Sequence, residues 1–344
     1  MLPETTEHSV QLGDHHQFYL ASGPEDGPLL IFVHGWPELS LSWRHQLPAF
    51  GALGFRAIAP DLRGYGRSTA YRRHEDYAQS EVVGDMIGLL DALGRDRAVW
   101  IGHDWGAPTA WMIAAHHPER CDGVANLNVP YASVDRGWEG MLPLVDREVY
   151  PEETYPLGQW EYMGFYQEQF DVATAAFDAN PYNVVKMLFR TGNPAGVGKP
   201  SGTSQTRING GWFGQASEAP DVPRDVDVVT EADLRTYAEG LVRNSFFGPD
   251  SYYMNHDANH AYAMSAPNEG RLEMPVLFLH GRYDFTCETV ESRMADPMRE
   301  LCSDLTEHVV DSGHWMAQEK PAAVNAALAG WLARKLPDVW PEIV

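Results

Sequence analysis

Short apolar runs rich in strand-forming residues recur along the chain and alternate with stretches of helical periodicity. The runs are LLIFV (29–33), RAIAP (56–60), AVWIG (98–102), GVANLNV (123–129) and VLFLH (276–280). A strand with one face in water alternates apolar and polar residues, whereas these runs are apolar on both sides of the pleat and require a sheet covered on both faces. The connections fit that requirement. In QSEVVGDMIGLLDALG (79–94) apolar residues return every three or four positions and Gly94 marks the end, as a crossover helix would. The pattern predicts an α/β fold with a mostly parallel central sheet and helices on both faces.

The rhythm stops between about residues 135 and 262. That segment is helical and aromatic, broken by a Gly/Pro/Ser-rich loop around 191–228, and strand–helix alternation resumes after it. In TEADLRTYAEGLVR (230–243), Thr230 and Asp233 stand in capping-box positions, so the insertion has bounded helices of its own. The expected organisation is a core of residues 1–134 and 263–344 with an inserted helical cap at 135–262. A chain of 344 residues, 44% of them apolar, can bury a core of that size. No internal repeat is present, and GNPAGVGKP (192–200) does not match a phosphate loop, because Asn193 stands five residues before Gly198 and Pro200 follows Lys199.

Composition excludes several classes of partner. A net charge of −23, spread along the chain, gives no basic face for nucleic acid or anionic membranes. No apolar run reaches the roughly 18 residues of a membrane span, and MLPETTEHSVQLGDHH lacks the basic and apolar regions of a secretion signal, so a cytoplasmic location is expected. Cys121, Cys287 and Cys302 are odd in number and have no metal-binding spacing, so reduced thiols are expected rather than disulfides or a zinc site.

One stretch carries chemistry. In VWIGHDWGAPTAW (99–111) a strand runs into Gly-His-Asp-Trp-Gly and then a helix, which is the arrangement of a nucleophile elbow with Asp104 where serine usually stands. The glycines permit the tight turn that lifts the central side chain above the sheet. A serine displacing a leaving group at saturated carbon would form an ether that water cannot readily cleave, whereas a carboxylate forms an ester that a general base can hydrolyse. Aspartate at this position therefore points to attack on sp³ carbon. Being ionised at neutral pH, it leaves a histidine free to activate water for the second step. EHVVDSGHWMAQEKP supplies His314 in a turn after the last strand, and VLFLHGRYDFTCE supplies Asp284 as its orienting acid, with Glu288 the substitute and Asp311 too near His314 along the chain. The order Asp104, Asp284, His314 is nucleophile, acid, base. Ester hydrolysis also needs an oxyanion hole. The backbone N–H groups of Trp36, in FVHGWPE (32–38), and Trp105 are the candidate donors, each worth about 3 kcal/mol in good geometry.

HGWPELSLSWRHQLPAFGALGFRAIAPDLRGYGRS, VVGDMIGLLDALG and GHDWGAPTAW together resemble the soluble epoxide hydrolases of the α/β-hydrolase superfamily, nearest to the plant and bacterial type. The similarity spans nearly the whole core. It implies an α/β-hydrolase fold, a triad of Asp104, Asp284 and His314, a cis Trp36–Pro37 peptide, a small-molecule epoxide as substrate, no cofactor or metal, and a monomer or homodimer. It also implies two cap tyrosines that hold the epoxide oxygen and protonate it as the ring opens. The first is Tyr162 in YMGFYQEQF. The second is Tyr253 in FFGPDSYYMN, where Ser251 replaces the usual Asn and Tyr252 offers a neighbouring register; Tyr166 is the substitute for the first. Haloalkane dehalogenases share the Asp-Trp elbow and would use the Trp105 indole N–H to hold halide. They typically place Asn after His-Gly or a second halide-binding Trp in the cap, where this sequence has Trp36 and the tyrosine pair. Fluoroacetate dehalogenases carry an Arg after the nucleophile, which is absent here. An intact triad with two placed acids argues against a non-catalytic ligand receptor on the same scaffold.

Overall fold

The computed structural model describes residues 2–341. Eight strands form one sheet: β1 (Thr6–Leu12), β2 (His15–Ser22), β3 (Leu29–Val33), β4 (Arg56–Pro60), β5 (Ala98–His103), β6 (Cys121–Leu127), β7 (Val276–Gly281) and β8 (Leu305–Val310). Their order is β1-β2-β4-β3-β5-β6-β7-β8, antiparallel from β1 to β4 and parallel from β4 to β8.

The apolar runs work as their composition predicts. Leu30 and Phe32 of β3, Val99 and Ile101 of β5 and Leu277 and Leu279 of β7 point to one face, where Trp43, Phe50, Leu328 and Trp331 cover them. Their neighbours Ile31, Val33, Trp100 and Phe278 point to the other, against Met86, Leu89, Trp111 and Met112. Each such side chain contributes about 1.5–3 kcal/mol by leaving water, and truncation leaves cavities on either face.

Two differences from expectation have local causes. β1 (TEHSVQL) is mostly polar and half-exposed at the sheet edge, and in β2 (HHQFYLAS) the short apolar stretch Phe18–Ala21 is flanked by His, Gln and Ser, so neither stands out as an apolar run. The run at 123–129 is a strand over Cys121–Leu127 instead, because Asn128 takes φ +68° and turns the chain out of the sheet.

Between β6 and β7 the described residues form helices and turns without a strand, including Glu161–Ala179, Pro181–Leu188 and Glu231–Asn244. The capping box at the start of the last is formed in both directions: the Asp233 N–H donates to Thr230 Oγ1 at 3.1 Å, and the Thr230 N–H to Asp233 Oδ2 at 2.9 Å. The 191–228 stretch contains only short helical turns, such as Thr206–Asn209. Among the described residues no helix is long and apolar enough to cross a membrane.

The chain leaves β3 toward β4 on one side and returns to pair β5 on the other, so the sheet order reverses beside β3. Crevices beyond the carboxyl ends of strands at such a reversal are where α/β proteins bind ligands. The loops after β3, β5, β6, β7 and β8 deliver Trp36, Asp104, Asn128, Asp284 and His314 to that end.

Candidate active site

Asp104 sits between β5 and the helix Gly106–His116 with φ +49°, a strained turn for a residue with a side chain. The flanking glycine is sterically required: a Cβ on Gly106 would lie 2.1 Å from the Val33 carbonyl oxygen. Gly35 is needed for the same reason, since its Cβ would fall 2.4 Å from Asp104 Oδ1 and 2.7 Å from the Trp105 backbone nitrogen. This close approach lets the Trp36 N–H donate to Asp104 Oδ1 at 2.6 Å. The Trp36–Pro37 peptide is cis.

His314 Nε2 lies 3.3 Å from Asp104 Oδ2, and Nδ1 lies 2.7 Å from Asp284 Oδ2. Asp284 is itself held on several sides. The Asn128 amide donates to Oδ2 at 2.7 Å, and the Thr286 and Cys287 N–H groups donate to Oδ1 at 3.1 Å. Burial would raise the Asp284 carboxyl, but the His314 imidazole, Asn128 and the Cys287 N–H outweigh it and hold it below the usual carboxylate range. Burial would likewise lower His314. The Asp284 carboxylate and the hydrogen bonds to Asp104 and Asp284 prevail and hold its pKa well above the ordinary imidazole value.

A further buried pair braces this constellation. His103 contacts Glu38 Oε2 through Nδ1 at 2.8 Å and, through Nε2, the His314 carbonyl oxygen at 2.7 Å. The Gly35 N–H donates to the same Glu38 oxygen at 2.8 Å, so one carboxylate ties the Trp36 loop to the His314 turn.

Tyr162 and Tyr253 face Asp104 across a cavity of about 160 Å³ that is lined also by Trp36, Leu188, Trp212 and His314. Their rings meet edge to face at 5.5 Å. Burial holds both phenols well above the ordinary tyrosine value, so both stay protonated donors. The alternatives lie elsewhere. The Tyr252 hydroxyl donates to the Arg63 carbonyl oxygen at 3.1 Å, and Tyr166 stacks behind Tyr253 at 4.7 Å without lining the cavity. Glu288 accepts from the Val290 and Glu291 N–H groups, and Asp311 pairs with Arg282 at the surface, so neither reaches His314. Trp105 turns its ring to Tyr253 at 5.2 Å. The cavity opens into a mouth of about 440 Å³, with which it shares Leu188, Thr203, Trp212, Thr286, His314 and Trp315.

Among the described residues one cluster has metal-binding spacing: Asp284, Cys287 and His314, whose ligating atoms lie within 4.8 Å. It coincides with the Asp284–His314 hydrogen bond. All three cysteines are buried and free.

The sequence did not reveal Asn128, His103, Glu38, Asp250 or Trp212. Glu38 and His103 lie within the two motifs that were read, three residues after Gly35 and one before Asp104, so their adjacency to those motifs was an available signal. Asp250 and Trp212 meet the site only through folding, the former accepting from Trp36 Nε1 at 2.9 Å.

Known proteins share this fold over nearly the whole chain. The alpha/beta hydrolase fold family matches residues 28–321. Epoxide hydrolase B of Mycobacterium tuberculosis is 34% identical over 92% of this chain and 95% of its own. The crystal structure of epoxide hydrolase A from Mycobacterium thermoresistibile superposes with a TM-score of 0.78 at 30% identity, covering 96% of this chain and 99% of that one. A Vigna radiata epoxide hydrolase mutant superposes at 0.76 with 26% identity, over 96% and 99% of the two chains.

Proposed function

The chain belongs to the epoxide hydrolases of the alpha/beta hydrolase fold family, and we propose that it converts small-molecule epoxides to vicinal diols in two steps, through an ester on Asp104. In this reading residues 135–262 form a cap over a core of 1–134 and 263–344, and the substrate lies between them.

In the first step an Asp104 carboxylate oxygen attacks a ring carbon and the C–O bond breaks. The departing oxygen takes a proton from Tyr162 or Tyr253, whose buried phenols are kept protonated. Two donors on one oxygen spread the developing charge, and positioned acids of this kind contribute about 10²- to 10⁴-fold.

Esterification then changes His314. The free Asp104 carboxylate helps hold the imidazole well above its ordinary pKa; the ester carries no charge, so that support vanishes, the pKa falls and the neutral imidazole that can accept a proton is populated when water must be activated. Water adds to the Asp104 carboxyl carbon and gives a proton to Nε2. The Trp36 N–H, which already donates to Oδ1, and the Trp105 N–H receive the oxyanion. On collapse the expelled diol oxygen takes the proton from His314 Nε2, and the proton that water left on the carboxyl returns to the tyrosinate, which releases the diol and restores the Asp104 carboxylate and both phenols.

The observation that carries this reading is the opposition, across one small cavity, of a carboxylate–imidazole–carboxylate relay and two protonated phenols. A dehalogenase would need a second indole or amide donor for halide. The Trp36 indole N–H is committed to Asp250 instead. Turnover of a simple aryl epoxide and of a chlorinated alkane separates the two: diol formation without chloride release is expected, and chloride release without diol overturns the proposal.

A further inference from the structure

Asp250 is fully buried among aromatic rings, an expensive place for a carboxyl unless its oxygens are engaged. Both are. Oδ1 accepts from the Trp36 indole Nε1 at 2.9 Å, and Oδ2 accepts from Thr174 Oγ1 at 2.9 Å. These partners come from three separate parts of the chain. Trp36 belongs to the loop after β3, Thr174 to the helix Glu161–Ala179 that also carries Tyr162, and Asp250 to the short helix Phe247–Ser251, which runs directly into the turn Tyr252–Met254 that carries Tyr253.

The Trp36 ring also packs among aromatic neighbours: Phe177 at 5.5 Å, Trp212 at 5.4 Å, Tyr253 at 5.9 Å and Tyr166 at 6.3 Å. Aromatic contacts of this kind fill space but orient weakly, whereas a buried hydrogen bond is directional. The backbone N–H of the same residue holds Asp104 Oδ1 at 2.6 Å.

We infer that Asp250 is a positioning residue for the reaction: by anchoring the Trp36 indole it fixes the peptide that holds the Asp104 carboxyl, and it locks that peptide to the two segments that bear Tyr162 and Tyr253. The inference rests on the epoxide hydrolase reading above. Because the oxyanion forms on the Asp104 carboxyl during ester hydrolysis, loss of the anchor slows the second step more than the first. Burial holds the Asp250 carboxyl well above the usual range, and an amide of the same shape keeps an acceptor oxygen toward Trp36 Nε1 while its NH2 donates to the Thr174 hydroxyl, which can turn to accept.

The test is a set of variants assayed per folded molecule with an aryl epoxide, in steady state and in single turnover with intact-mass detection of the ester. Asp250→Leu is expected to lower kcat at least tenfold, with KM falling alongside it so that kcat/KM stays within threefold, and to accumulate ester. Asp250→Asn stays within threefold of wild type. Trp36→Phe, which removes the same bond from the core side, matches Asp250→Leu, and the double variant is no worse than either by more than threefold. Wild-type kcat in Trp36→Phe, or losses that multiply in the double variant, overturn the inference, and Trp36→Phe keeps the test decisive if Asp250→Leu does not fold. Absence of any ester in the wild-type enzyme overturns the reading beneath it, and the inference with it.

Discussion

The two sides of the cavity are held together by different forces. On the sheet side, Asp104, His314 and Asp284 are fixed by hydrogen bonds of 2.6–3.3 Å and braced by Asn128, His103 and Glu38. On the cap side, Tyr162 and Tyr253 are held by packing against Trp36, Trp105, Tyr166 and Trp212 at ring separations of 4.7–5.9 Å. The difference matches what the proposed mechanism asks of each side. A carboxylate that attacks and an imidazole that passes a proton need partners placed to a fraction of an ångström. A phenol that donates one proton into a cavity needs chiefly to be protonated and near. Directional bonds therefore concentrate on the side where two successive steps share the same atoms.

Removing parts from the two sides should separate these roles. The largest effects are on the sheet side. Asp104→Ala is expected to abolish turnover and form no covalent adduct, whereas His314→Gln consumes about one equivalent of epoxide and stalls as an ester visible by intact mass. Equal adduct in both variants would erase the assigned division of labour. The cap side comes next. Tyr162→Phe and Tyr253→Phe should each slow ring opening by roughly ten- to a hundredfold, with the double variant nearly inactive; wild-type alkylation rates in either single variant would remove that tyrosine from the reaction.

The smallest effect is on stability and belongs to the brace. Burial would raise the Glu38 carboxyl, but the facing His103 holds it at about 2, against an ordinary 4.5. A depressed carboxylate contributes stability that is present above its unfolded pKa and lost as pH falls through the folded one, up to about 3 kcal/mol here. Glu38→Gln should therefore destabilise the protein near neutrality, and the gap to wild type in urea unfolding should narrow between pH 4.5 and about 2. A gap independent of pH would mean that the Glu38 charge contributes nothing to the fold.

The same contrast decides what could be read from the chain. Parallel strands and an elbow announce themselves locally, since apolar runs such as Leu29–Val33 and the glycines around Asp104 satisfy constraints set by their immediate neighbours. Asp284 and His314 were legible because each follows a recognisable strand in a fixed order. The cap tyrosines were legible only through family resemblance. Nothing near Tyr253 in sequence distinguishes it from Tyr252; the direction of each ring depends on Arg63 and Trp105, far away along the chain. Asp250 was hidden for the same reason, as its partners lie 214 and 76 residues away. The edge strand β1 escaped because a half-exposed strand buries too little to need an apolar run, and β2 escaped because its buried positions include His15, Gln17 and Ser22 among the apolar ones.

The central claim is that Asp104 is a nucleophile and not a base. Direct attack by an activated water gives the same diol as the two-step route, but the new oxygen comes from a different place. With enzyme in excess over a reactive epoxide in ¹⁸O-water, the ester route transfers an Asp104 oxygen to the product, and His314 then delivers a water oxygen to the carboxyl carbon. The single-turnover diol should be largely unlabelled and the heavy oxygen should appear in the peptide that contains Asp104. A labelled diol with that peptide left light would make Asp104 a general base and contradict the ester mechanism.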